Sequence, residues 1–186
     1  MNPKDRRVKR TQRLLTDALI ALAQEQTLET ISIRDITARA DVSYSTFFRH
    51  YTSIEQLLVE ILENTVNEMR DLVTQPPEQS GPLIFQHVQG HPALYRVLLM
   101  ARRNARINQH IQAIITGELL KVQRPSRRQQ PPSQVVAHHI MVSTLGLIEW
   151  WLENQMPYPP ERMGIWYSEL VIKPVQSLTE SSLPER

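Results

Sequence analysis

Apolar positions recur at helical spacing along most of the chain, and no stretch shows the period-two alternation of a half-buried strand. Leu15, Ala18, Leu19 and Leu22 share one face of a helix predicted from about Lys9 to Gln26. Ile33, Ile36 and Ala40 repeat over a second helix, Ile33 to Ala40, with Ser32 in the N-cap position. Asp41 then occupies a tight turn, where a left-handed backbone costs Gly, Asn or Asp least. Ser43 is placed to cap a short third helix ending near His50 or Tyr51, with Val42, Phe47 and Tyr51 inward. Ser53 caps a long fourth helix, with Gln56 as its reciprocal capping-box partner. The buried stripe of that helix is Ile54, Leu57, Leu58, Ile61, Leu62, Thr65 and Met69.

Pro76, Pro77, Gly81 and Pro82 break the pattern and predict a boundary or hinge. Helical spacing then resumes. His91 to Ala101 is apolar-rich, and Ile107, Ile111, Ile115 and Leu119 repeat at near-helical intervals. Gln123 to Ser133 is a basic, Pro-rich loop. Val135 to Glu153 is apolar on almost every side, which predicts a buried helix of the kind found at subunit interfaces. A last helix is expected over Pro160 to Ile172, ended by Pro174, with a polar tail from Ser177. The expectation is an all-α chain.

Composition narrows the class. With 186 residues, 41% apolar, the chain is long enough for one or two domains with a real core. It contains no cysteine, which excludes disulfides and thiolate metal sites. Apolar runs stop short of the ~20 residues of a membrane span, and the charged start, Met1 to Arg13, lacks the apolar stretch of a signal peptide. The expected setting is the cytoplasm, with no membrane partner. Charge is unevenly distributed: residues 1–53 hold nine Lys/Arg against six Asp/Glu, within a total of +2. Six of those cations lie in residues 1–13, among them Arg6, Arg7, Lys9 and Arg10. This basic arm suits phosphate or minor-groove contact, or is a solvated tail.

Two short helices around a tight turn form a helix-turn-helix, whose second helix can enter the major groove of DNA. The outward residues of that helix, Tyr44, Ser45, Thr46, Phe48, Arg49 and His50, combine hydrogen-bonding groups with aromatic edges. Hydroxyls suit phosphate and sugar, Arg suits guanine, and aromatic edges suit thymine. A plain helical hairpin with a polar outside is the competing reading.

The sequence resembles the tetracycline-repressor-like (TetR) family of one-component bacterial regulators. The resemblance is carried by Ser32-Ile33-Arg34-Asp35-Ile36, Asp41-Val42-Ser43, Thr46-Phe47-Phe48-Arg49-His50-Tyr51 and Ser53-Ile54-Glu55-Gln56-Leu57, and covers residues 9 to about 62. It implies a homodimer on a near-palindromic double-stranded operator, regulated by a small molecule. By position, Ser32 and Arg34 would meet phosphate, and Ser43, Tyr44, Ser45, Thr46, Phe48, Arg49 and His50 the major groove and its flanking backbone. The implied domains are a three-helix DNA-binding domain over residues 1–53, an effector-binding and dimerisation domain over 54–176, and a flexible tail over 177–186. Two residues depart from the family pattern: Asp41 replaces the turn Gly, and Ile54 replaces a phosphate-contacting Lys. They motivate an alternative, a TetR-like co-regulator that docks a protein partner and has lost operator binding.

An effector pocket in the second domain would draw on Tyr95, Leu99, Ile111, Ile115, Met141, Leu145, Ile148 and Trp151, a set that suits an apolar or aromatic ligand. The dimer seam is expected near His139, Val142, Gly146, Trp150, Trp166 and Leu170. His138 and His139 diverge by about 100° on a helix and cannot chelate one metal together. His87 and His91 are separated by four positions, but Gly90 and Pro92 are expected to disrupt the helix between them. No catalytic motif is present, so no enzyme, metal or cofactor is expected.

Overall fold

The structure, a computed structural model, describes residues 3–73, 75–122 and 131–180. Among these residues the regular structure is entirely helical. The helices are α1 (Pro3–Leu22), α2 (Ile33–Arg39), α3 (Tyr44–Phe48), α4 (Ile54–Val73), α5 (Pro77–Gly90), α6 (Pro92–Ala101), α7 (Ala105–Val122), α8 (Ser133–Glu153), α9 (Pro160–Tyr167) and α10 (Lys173–Glu180). A 3-10 turn spans Leu28–Thr30, and a π-helical turn spans Ser168–Ile172. Most of the basic loop predicted over Gln123 to Ser133 lies outside the described residues.

Compactness divides the chain into two units: Met1–Asn64 with Ala93–Asn108, and Thr65–Pro92 with Gln109–Arg186. This partition by packing differs from the functional one drawn at residue 53, because α4 runs without a break from one unit into the other. In the first unit Leu15, Leu19, Ile36, Phe47 and Leu57 are completely buried. The α1 stripe and the α4 stripe from Leu57 to Thr65 are buried as their spacing requires, with Ile54 and Met69 at the margins. The core of the second unit centres on Phe85, Val88, Met141, Ile148, Trp151 and Met163. Trp151 packs edge to face on Phe85, 5.3 Å between ring centroids, and its indole N–H donates to the Tyr158 carbonyl at 2.9 Å.

Several predicted breaks are absent. Gly81 and Pro82 do not interrupt the chain; they lie inside α5. Proline inside a helix forfeits a hydrogen bond, and here packing compensates. A Cβ at Gly81 would lie 2.5 Å from the Gly164 carbonyl oxygen, and one at Gly164 would overlap the Pro82 nitrogen. Only two glycines allow α5 and α9 to cross this closely. Pro174 likewise does not end the last helical segment, which continues through the wider π-helical turn into α10 and so past Ser177 to Glu180. The wider turn changes the backbone pattern where proline would otherwise crowd the preceding carbonyls. Helix α5 also persists through Gly90, with His91 as its C-cap, and the His87 and His91 rings stand 4.8 Å apart.

Candidate functional site

The α2–turn–α3 segment is set by short-range hydrogen bonds. Ser32 and Asp35 form a full capping box: the Asp35 N–H donates to Ser32 Oγ at 3.2 Å, and the Ser32 N–H donates to Asp35 Oδ2 at 2.9 Å. Hydrogen bonds from the Ser32 hydroxyl, then from its N–H, hold the Asp35 carboxyl below the usual carboxylate range. Asp41 adopts the left-handed turn its position called for, with φ of 52°. Ser43 caps α3, accepting from the Thr46 N–H at 3.2 Å.

Helix α3 is only five residues long, too short to be stable alone. Its fixed position comes from Phe47, fully buried, and from Tyr51 just beyond it. The Tyr51 hydroxyl donates to Glu60 Oε1 at 2.8 Å, and Gln12 Nε2 donates to the same carboxylate at 3.0 and 3.2 Å. Burial, then the hydrogen bond to Glu60, raises the Tyr51 phenol far above its usual range. Glu60 thus ties α1 and the chain after α3 to α4. Nothing in the spacing of apolar residues predicts this hub. The available signal was a carboxylate on the Leu57/Ile61 side of an amphipathic helix. At the start of α4, Gln56 N–H donates to Ser53 Oγ at 3.3 Å as expected, but Gln56 Oε1 accepts from the Thr52 N–H at 2.6 Å instead of returning to Ser53.

With Phe47 anchored inward, the other side chains face out. Ser43, Tyr44, Ser45, Phe48 and Arg49 are exposed, and Thr46 and His50 are half-buried. The polar members are already connected. Arg49 Nη2 donates to Thr46 Oγ1 at 2.7 Å, and the Thr46 and Ser43 hydroxyls are 2.7 Å apart. Ser32 and Arg34 are exposed on α2, and the Arg34 guanidinium lies 6.0 Å from the Tyr44 ring centre. Arg6, Arg7, Lys9 and Arg10 are exposed too, but on the first turns of α1: the basic segment is helical from Pro3.

In the second unit, α8 has two unlike faces, so it is not apolar and buried all round. Val136, Ala137, Ile140, Met141, Ile148, Trp151 and Leu152 are buried. His139, Val142, Gly146 and Trp150 form an exposed stripe at helical spacing. Beside Gly146 there is open space, with nothing beyond its own helix within 4 Å of a Cβ placed there. Leu170 is exposed and Trp166 half-buried. Val135, Tyr158 and Ile165, which are not among the expected seam residues, are exposed as well. Val135 lies one turn before His139 and was legible as part of that stripe. Tyr158 stacks on Trp150 and meets Trp166 edge to face, at 6.4 and 4.8 Å between centroids.

The candidate ligand residues are distributed across the two units. Tyr95 and Leu99 belong to the first; Ile111, Ile115, Met141, Leu145, Ile148 and Trp151 belong to the second. Tyr95, Ile111, Met141, Ile148 and Trp151 are buried, and Leu99, Ile115 and Leu145 are half-buried. In the second unit the Tyr167 hydroxyl lies 3.4 Å from Thr144 Oγ1, and Ser168 Oγ is buried without a hydrogen-bond partner. Among the described residues no group of three or more His, Cys, Asp or Glu side chains is arranged to hold a metal.

Residues 15–61 match the model of bacterial regulatory proteins of the tetR family, and residues 77–171 match a transcriptional regulator C-terminal region. The chain is 28% identical over 168 residues to YxbF, an uncharacterized HTH-type transcriptional regulator of Bacillus subtilis (strain 168), covering 84% of this chain. It spans less than half, 43%, of that relative's length. The fold matches a TetR transcriptional regulator from Streptococcus agalactiae 2603V with a TM-score of 0.67 at 22% identity, over 90% of this chain and 97% of that one. It also matches FadR from Bacillus subtilis, solved in complex with stearoyl-CoA, with a TM-score of 0.61 at 15% identity, over 87% and 97% of the two chains.

Proposed function

This chain belongs to the tetR family of bacterial regulatory proteins, and from that premise we propose that it is a cytoplasmic repressor that binds a near-palindromic operator as a homodimer. The family points to a regulator and not an enzyme. The observation that carries the proposal is the outward face of α3, where Tyr44, Phe48 and Arg49 are exposed on a helix anchored by Phe47. Arg49 is the candidate for guanine, and the hydroxyls of Ser43, Ser45 and Thr46 for sugar and phosphate. Ser32, Arg34 and the cations of α1 add sequence-independent attraction to the backbone.

Dimerisation is assigned to the exposed stripe of α8 with Trp166 and Leu170. Helix α8 also has the length and composition to cross a membrane. Its buried second face favours the role of a core helix that borders a partner. Two recognition helices must then reach half-sites roughly 34–36 Å apart. A small molecule that favours a different separation lowers operator affinity, by the same factor that operator lowers its own affinity. We assign that molecule to the apolar side chains around Ile111, Met141 and Ile148, with Ser168 as a polar anchor. The ligand in the FadR complex, stearoyl-CoA, carries an apolar acyl chain of the kind these side chains could line.

The alternative of a protein-docking co-regulator rests on Asp41 and Ile54. Asp41 meets the backbone demand of the turn, with φ of 52°, so it needs no change of function to explain it. Titration of duplex DNA across salt concentrations separates the two readings. An operator reader loses affinity steeply as salt rises and prefers a selected sequence by about 10³-fold or more. A flat salt response without sequence preference would reject operator binding.

A further inference from the structure

Phe48 is the odd member of the α3 face. Ser43, Ser45, Thr46 and Arg49 can all hydrogen-bond to DNA, whereas Phe48 has no polar side-chain atom and is nevertheless 48% exposed. Tyr44 beside it is 50% exposed. Neither ring stands alone. Phe48 meets Tyr44 edge to face at 5.2 Å between centroids, and meets Phe47 in the same manner at 5.5 Å. Phe47 is itself buried against Tyr51, 5.6 Å away, while Arg34 lies 6.0 Å from the Tyr44 ring centre. The exposed apolar edge is therefore supported from both sides. A ring held in place has little freedom left to lose on binding, so contact with an apolar group retains most of the gain from burial.

In the major groove the thymine C5 methyl is the apolar feature that distinguishes one base edge from the others. We propose that Phe48, supported by Tyr44, is a specificity-determining residue that reads the C5 methyl of a thymine in each operator half-site. The inference deepens the operator-binding reading and rests on it. The polar and cationic groups around Phe48 (Ser43, Ser45, Arg49 and Arg34) favour nucleic acid as the occupant over an apolar protein surface. The methyl contact adds sequence information that phosphate contacts cannot supply.

The test removes the methyl and nothing else. The full chain selects its operator from random duplexes, and each thymine of a half-site is replaced in turn by deoxyuridine. One position per half-site should lose about fourfold in affinity, the factor for leaving one methylene-sized group unburied. Phe48→Ala should bind the thymine and uracil forms of that position equally, and Tyr44→Ala should lose part of the discrimination. Three results would overturn the inference while leaving operator binding intact: a half-site without thymine, wild-type indifference to every replacement, or full discrimination retained by Phe48→Ala. Failure to select any sequence would overturn the operator-binding reading along with it. The wild-type scan needs no variant, so its outcome does not depend on how Phe48→Ala folds.

Discussion

Two surfaces of this molecule expose aromatic rings, and they differ in what surrounds them. On α3, Tyr44 and Phe48 sit among Ser43, Ser45, Thr46, Arg34 and Arg49. Trp150 of α8, Tyr158 of the following turn and Trp166 of α9 cluster together, and Val135, Val142, Gly146 and Ile165 are exposed on the same two helices. An exposed ring alone says little about its partner, because much of any protein surface is apolar. The surroundings are more informative. Hydroxyls and guanidinium groups match phosphates and base edges, whereas branched aliphatics beside a glycine match another protein helix. We therefore propose DNA as the partner of the first surface and a second copy of the chain as the partner of the second.

The largest expected effect follows from Gly146→Arg. With open space beside Gly146, the substitution should leave each chain folded but separate the dimer. Without simultaneous engagement of both half-sites, operator affinity should fall by about 10²–10⁴-fold. Sedimentation and circular dichroism would show a folded monomer; an unfolded chain would mean that this face belongs to the monomer core. Gly164→Ala is the contrasting control. Its Cβ would collide with the Pro82 backbone, and it should cost about 3 kcal/mol or more in denaturant unfolding.

Next in size is Arg49→Ala, which should weaken selected-operator binding by about 1–3 kcal/mol with little change in thermal stability. Thr46→Ala should reproduce part of that loss by releasing the Arg49 guanidinium it now holds. Fluorescence anisotropy with operator and scrambled duplexes would separate weakened base readout from weakened nonspecific attraction.

A smaller effect should appear on the acid side. The folded-state Asp35 pKa lies below its ordinary value of 3.8. Its stabilising contribution is therefore present above that value and is lost as pH falls through the lower folded pKa. Asp35→Asn should be less stable than wild type near neutrality, and the difference should shrink below about pH 3.8 in thermal melts. The smallest effect belongs to α1: replacing Arg6 and Arg7 with Ala should reduce the slope of log affinity against log salt by about 0.9 for each phosphate that is no longer neutralised. The weakening should be equal for operator and unrelated DNA.

The recognition segment was largely legible in the sequence because local chemistry determines it. Ser32, Asp41 and Ser43 each constrain the backbone within three or four residues, and the structure places all three in those roles. The second unit was less legible for the opposite reason. Pro82 continues a helix because Gly81 meets Gly164, a contact between residues 83 positions apart. Glu60 likewise gathers Gln12, 48 positions away, together with Tyr51, nine positions away. The two faces of α8 were also hidden, since apolar residues occur on both and only packing separates Ile140 from Val142.

The central claim is that two copies of α3 read one duplex together. Sedimentation of the protein with its selected operator, at increasing ratios of protomer to duplex, tests this most directly. The account predicts saturation at two protomers per operator, with Arg49→Ala failing to saturate at the same concentrations. Saturation at one protomer, or equal binding of wild type and Arg49→Ala, would contradict it.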